Sequence, residues 1–107
     1  KNIDILQPDS NMITISEILK LKTHLKNSKK KVIFHNWANP ISMYSNFHLS
    51  KIFDSNLIEY NITYNPVIKN LLKETIKIKK GQFVFNKKPG LGMEMNEDFL
   101  KKYSIKL

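Results

Sequence analysis

Three short apolar runs, Ile3-Asp4-Ile5-Leu6, Val32-Ile33-Phe34 and Leu57-Ile58-Glu59-Tyr60, are separated by stretches long enough to hold a helix each. Runs this short and this rich in Ile, Val and Phe read as strands. Strand, helix, strand, helix, strand in that order calls for parallel pairing with right-handed crossovers. Val32-Ile33-Phe34 is too uniformly apolar to be half exposed, so it is expected to be covered on both faces. Parallel pairing also brings the strand ends to one rim, and Asp9, His35 and Glu59 stand at or near those ends. Such rims are where α/β barrels keep catalytic groups, because the loops vary while the strands fix the geometry.

The intervening stretches carry helix signals of their own. Thr14-Ile15-Ser16-Glu17 is a capping-box pattern, and Ile15, Ile18, Leu19 and Leu25 form a one-sided apolar stripe ending near Asn27-Ser28. Gln7-Pro8-Asp9 ends the first strand, since Pro8 has no N–H for a ladder. Asn39-Pro40 predicts a second helix, Asn as cap and Pro in the first turn, running through Met43, Tyr44, Phe47 and Ile52 to a stop at Asp54-Ser55-Asn56.

From Pro66 the pattern changes. Asn65-Pro66 opens a short turn or helix through Leu71-Leu72; Thr75-Ile76-Lys77-Ile78 and Gln82-Phe83-Val84-Phe85 alternate as a hairpin would around Lys80-Gly81. Pro89-Gly90-Leu91-Gly92 is a turn, and Asn96-Glu97-Asp98 begins a terminal helical turn at Phe99 and Leu100.

With 107 residues, 41% of them hydrophobic, the chain has the means to bury a core, yet it starts at Lys1 directly before a strand, and a missing upstream portion is expected. No stretch is long and apolar enough to cross a bilayer, and the start lacks the order of a secretion signal, so no membrane partner and a cytoplasmic location are expected. There is no cysteine, which removes disulfides and thiolate metal sites. The net charge of +9 raises the question of nucleic acid. All 18 cations are Lys, scattered along the chain with no Arg to fork onto bases or phosphates, so solvated faces account for them and no nucleic-acid partner is expected.

His35, at a strand end, is the acid/base candidate, because imidazole exchanges protons near neutral pH. A carboxylate at the end of the neighbouring strand, Asp9, could hold one ring nitrogen protonated and make a His-Asp dyad. The competing role for Asp9 is a turn aspartate after Pro8. Glu59 needs a reason to follow a buried apolar run: a carboxyl that meets a developing oxyanion, or a rim ion pair with a lysine. Trp37 and Tyr44 read as core or pocket wall, and His24 and His48 as packing or surface residues. No phosphate-cradling loop or metal-ligand spacing is present.

Taken in order, Ile5-Leu6-Gln7-Pro8-Asp9, Phe34-His35-Asn36-Trp37-Ala38-Asn39-Pro40-Ile41, His48-Leu49, Ile58-Glu59-Tyr60, Gly81 and Pro89-Gly90-Leu91-Gly92-Met93-Glu94 resemble the C-terminal part of the mandelate racemase/muconate lactonizing enzyme family, the mandelate racemase branch of the enolase superfamily. The resemblance implies an α/β fold: residues 1–64 as the last β/α units of a (β/α)7β TIM-like barrel, with its last three parallel strands, and 65–107 as a β-rich tail returning to an N-terminal capping domain. It implies that Asp9 and His35 are the family's dyad, His35 abstracting the proton α to a carboxylate, and that Glu59 hydrogen-bonds the enolate. Asn36 and Trp37 are then expected in the substrate pocket. The chain departs from the family in the loop after Asp9, where Asn11-Met12-Ile13-Thr14 has no glycine.

The same resemblance implies Mg²⁺, held by carboxylates outside this chain, a small carboxylate substrate, and a homo-oligomer of the full-length protein. Acid-sugar dehydration is the expected reaction, since one acid/base can serve both proton steps; racemisation or epimerisation of a mandelate-type hydroxy acid is the alternative and needs a second base. The chain by itself is expected to be inactive, because the enolate dianion needs a cation to hold it. A basic nucleic-acid-binding module and an inactive fragment are the readings from other classes.

Overall fold

A computed structural model of the chain describes residues 3–105, which group into two compact units, the first ending at Ile62 and the second beginning at Thr63. The first is an α/β unit built from β1 (Ile5–Leu6), α1 (Ile15–Leu25), β2 (Lys31–Val32) and α2 (Pro40–Ile52). β1 and β2 pair in parallel, Ile5 beside Lys31 and Leu6 beside Val32. Their ladder runs past the formal strand ends, with Lys31 N–H donating to Asp4 O (2.8 Å), Ile33 N–H to Leu6 O (3.0 Å) and His35 N–H to Pro8 O (3.1 Å).

The helices start where their capping residues dictate. Thr14 Oγ1 accepts from Glu17 N–H at 3.3 Å, and Glu17 Oε2 accepts from Thr14 N–H at 3.0 Å, the complete capping box. Asn39 Oδ1 accepts from Ile41 N–H (2.9 Å) and Ser42 N–H (3.2 Å) at the head of α2, with Pro40 in its first turn. The far end of α2 closes as a Schellman motif: Ser55 N–H reaches Ser50 O (2.9 Å), Asp54 N–H reaches Lys51 O (3.2 Å), and Asp54 takes the left-handed position at φ 53° that glycine usually fills.

Alternation along the sheet decides what is buried. Val32 and Phe34 face the helices and pack with Ile18 and Leu49, flanked by Leu6, Leu25 and Phe53, and the Phe34 and Phe53 rings meet edge-on at 5.4 Å. Burying a side chain such as Phe34 completely contributes about 1.5–3 kcal/mol. Ile33 and His35 lie on the other face and are only half-buried, so β2 is covered by helices on one face and not on both. In α1 only Ile18 is buried; Ile15 and Leu19 of its stripe are exposed.

The expected third strand is not formed. Residues 57–60 make no backbone ladder with β2, and the sheet of this unit has two strands among the described residues. Side chains replace the ladder there: the Asn36 amide and backbone N–H both bond Glu59, so residue 59 is held to the end of β2 without strand pairing.

The second unit contains α3 (Pro66–Asn70), β3 (Ile78–Lys79), β4 (Gln82–Phe83) and α4 (Glu97–Tyr103). β3 and β4 form the hairpin expected around Lys80-Gly81, antiparallel with Lys79 opposite Gln82. Both loop residues have positive φ, 50° at Lys80 and 75° at Gly81, as a tight two-residue connection requires. An isolated bridge joins Leu72 to Met95. The unit is less β-rich than expected: its paired strands are two residues each, beside two short helices. Lys88 bonds both Glu74 (3.1 Å) and Glu94 (2.7 Å), tying the loop after β4 to two other segments. Among the described residues no helix is long and apolar enough to cross a membrane.

Candidate active site

His35 stands where the β1–β2 ladder ends, its backbone N–H on Pro8 O and its ring on the half-buried face opposite the helix-packed core. Ring Nδ1 lies 3.1 Å from Glu59 Oε2, and the two side chains are 41% and 27% exposed. With Glu59 as acceptor, Nδ1 carries the proton and Nε2 presents its lone pair. Nε2 has no protein partner among the described residues. A ring oriented by a carboxylate on one nitrogen and open at the other can take a proton and have the resulting charge stabilised.

Glu59 is itself held twice. Its Oε2 accepts from Asn36 N–H (3.1 Å), and its backbone carbonyl accepts from Asn36 Nδ2 (2.8 Å). Asn36 alternates to the helix side of the strand, is buried, and spends its side-chain oxygen on Asn46 Nδ2 at 2.9 Å. It therefore braces Glu59 from behind and does not share His35's face. Trp37 is 63% exposed just beyond it.

Asp9 occupies the adjacent loop, one residue past the Pro8 carbonyl that His35 bonds. Its Oδ1 accepts from Asn11 N–H (2.8 Å) and Asn11 Nδ2 (2.7 Å), and its carbonyl accepts from Met12 N–H (3.0 Å) and Ile13 N–H (3.1 Å). This is an Asx turn, and it explains how the loop closes without glycine: among the described non-glycine residues, only Asp54 and Lys80 have positive φ. The carboxylate partner of His35 in this structure is thus Glu59, while Asp9 is engaged with Asn11. Asn11 Oδ1 in turn accepts from Ser42 Oγ, which fastens the loop to the first turn of α2.

Three residues of this network carried no expectation from the sequence, Asn11, Ser42 and Asn46. Asn46 is fully buried on α2 and donates to His35 O at 2.9 Å as well as to Asn36. A signal for it exists: an amide at helical spacing from Met43 and Ser50 sits on the buried stripe, where a polar group needs a partner. Among the described residues no three of His, Asp or Glu come together as a metal-ligand set. The described residues therefore do not form a Mg²⁺ site.

Residues 1–99 match the family described as enolase C-terminal domain-like. The chain is 30% identical over 105 residues to an arabinonate dehydratase of Saccharolobus solfataricus, covering 97% of this chain and 28% of that protein. It is 25% identical to a D-galactarolactone cycloisomerase of Agrobacterium fabrum, covering 96% of this chain and 30% of that protein. The crystal structure of the 3,6-anhydro-D-galactonate cycloisomerase from Zobellia galactanivorans superposes with a TM-score of 0.83 at 27% identity, over 96% of this chain and 30% of that one. The chain thus spans less than a third of the length of the curated relatives it matches.

Proposed function

The chain belongs to the enolase C-terminal domain-like family, in the mandelate racemase branch of the enolase superfamily, and from that premise we propose that it supplies the acid/base end of a larger enzyme. The proposed enzyme removes the proton α to the carboxylate of a sugar acid and expels a β-hydroxyl as water. The observation that carries this reading is the 3.1 Å contact between His35 Nδ1 and Glu59 Oε2 at the end of the parallel ladder. The similarity to an arabinonate dehydratase supports the acid-sugar substrate and the dehydration.

In this proposal His35 Nε2 takes the α-proton while Nδ1–H stays on Glu59, whose carboxylate stabilises the imidazolium formed. The imidazolium then returns a proton to the departing hydroxyl, so water leaves and an enol forms that rearranges to the 2-keto-3-deoxy acid. Asp9 is proposed as the second rim carboxylate, favouring the cationic ring, with Trp37 as a wall of the pocket. Residues 1–64 take the place of the last β/α units of a barrel, and Mg²⁺ is proposed to be bound by carboxylates outside these 107 residues.

The cycloisomerase relatives favour a second reading, in which the same α-proton is removed and an isomer forms without loss of water. Supplying the protein that carries this chain with a panel of sugar acids and their lactones, with Mg²⁺, separates the two. Formation of a 2-keto-3-deoxy acid, lost in His35→Asn, is the expected result. Isomer formation would replace dehydration by the second reading, and product formation unchanged in His35→Asn would overturn both.

A further inference from the structure

We infer that Asn46, a residue of α2 outside the proton-transfer step, is the positioning residue of the His35–Glu59 pair. The inference rests on the reading of that pair as the acid/base group. Asn46 is completely buried in a helix whose neighbouring positions Met43 and Phe47 are buried apolar side chains. Its Nδ2 donates to His35 O and to Asn36 Oδ1, both at 2.9 Å. Two acceptors on one nitrogen fix the amide's orientation, and the consequence is visible at its other end: Asn46 Oδ1 is buried with no donor.

An unpaired buried carbonyl is unfavourable, and an apolar side chain in this stripe would avoid it. What the amide supplies in return is the register of the site. Residues 57–60 have no ladder with β2, so nothing in the backbone pattern sets Glu59 opposite His35. The connection runs instead from Asn46 to Asn36, and from Asn36 to the Glu59 carbonyl at 2.8 Å and carboxylate at 3.1 Å. The second Asn46 bond holds the His35 carbonyl, so one amide fixes both the strand end that carries the ring and the brace that carries its carboxylate. Glu59 then determines which ring nitrogen is protonated, and Asn46 acts through it.

The test is ring ¹⁵N NMR of His35 in the protein that carries this chain, comparing wild type with Asn46→Ala and with Asn46→Leu, which keeps the branched shape of the side chain but removes its donors. Ser50→Ala is the control, because it deletes the Ser50 Oγ bond to the backbone carbonyl of Asn46 and leaves the side-chain amide in place. The expected result is one Nδ1–H tautomer in wild type and in Ser50→Ala, and a mixture in the folded Asn46 variants. With it goes a kcat reduced about a hundredfold at little-changed KM, the scale of a reacting group displaced by about 1 Å. A wild-type tautomer in the Asn46 variants overturns the inference, as does an equal change in Ser50→Ala. Failure of both Asn46 variants to fold also overturns it, by making Asn46 a folding residue only. The ring shifts are read whether or not His35 transfers a proton, so they stand apart from any failure of the proposed reaction.

Discussion

Replacing Glu59 by glutamine removes one charge and keeps the shape of the side chain, and the structure gives a scale for the loss. The His35 and Glu59 atoms are 3.1 Å apart with both side chains partly exposed, 41% and 27%. At an effective dielectric of roughly 40 to 80 for such a site, the attraction between a transient imidazolium and the carboxylate is about 1.3–2.7 kcal/mol. Losing it from the transition state corresponds to about a ten- to hundredfold fall in kcat. Glu59 Oε2 accepts from both His35 Nδ1–H and Asn36 N–H, so a glutamine oxygen in its place keeps both bonds and leaves the tautomer unchanged. The expected loss is therefore about ten- to hundredfold, with the Nδ1–H tautomer kept. Steady-state kinetics on the protein that carries this chain reads the rate, and ring ¹⁵N shifts read the tautomer. Asp9→Asn is the comparison: Asp9 Oδ1 bonds only Asn11, and an asparagine oxygen can accept the same two N–H groups, so the loss should be smaller. The reverse order, with Asp9→Asn severe and Glu59→Gln close to wild type, would refute the pairing of Glu59 with His35.

Other outcomes follow from the backbone. Gly90 and Gly92 both have positive φ, 65° and 76°, but a Cβ on Gly92 would lie 2.6 Å from Asn86 Oδ1 while one on Gly90 would touch nothing within 4 Å. Gly90→Ala should cost about 1–2 kcal/mol from the left-handed conformation alone. Gly92→Ala should cost about 1–2 kcal/mol more, because Asn86 must give up its bonds to Lys88 N–H and the Gly92 carbonyl; equal losses in denaturant unfolding would refute the contact. Asp54→Gly should raise stability by about 0.5–1 kcal/mol, since glycine suits the φ of 53° and the lost pair with Lys22, at 3.8 Å and exposed, contributes little. In the second unit, hydrogen bonds donated by Lys77 and then Lys88 lower the Glu74 pKa, and Lys88 likewise lowers that of Glu94. Their contribution is present above the ordinary value of 4.5 and is lost as pH falls through the depressed values, so protection of the Lys73 N–H to Glu94 O bond should weaken on acidification through that window.

How much of this was legible in the sequence depended on range. The capping box at Thr14 and Glu17, the Asn39-Pro40 helix start, the Lys80-Gly81 hairpin and the Pro89-Gly92 turn are set by neighbours in the chain, and each is formed. Parallel pairing of the first two runs, with His35 at its end, also followed from the alternation of patterns. The failures concern contacts made at a distance. Leu57-Ile58 has strand composition, but a strand needs a partner ladder, and here the Asn36 side chain takes that place. Asp9 was read both as a dyad member and as a turn residue, and in this structure its carboxylate bonds Asn11, two residues on. Asn46 gave only the bland signal of an amide in an apolar stripe, and its meaning depends on a carbonyl eleven residues away on β2's extension.

The decisive measurement on His35 is exchange of the substrate's α-hydrogen with solvent deuterium, followed by mass spectrometry with a sugar acid that the protein carrying this chain turns over. Exchange in wild type and its loss in a folded His35→Asn variant is the predicted result. Exchange at the wild-type rate without the imidazole would show that another group moves the proton, and the role assigned to His35 and Glu59 would be wrong.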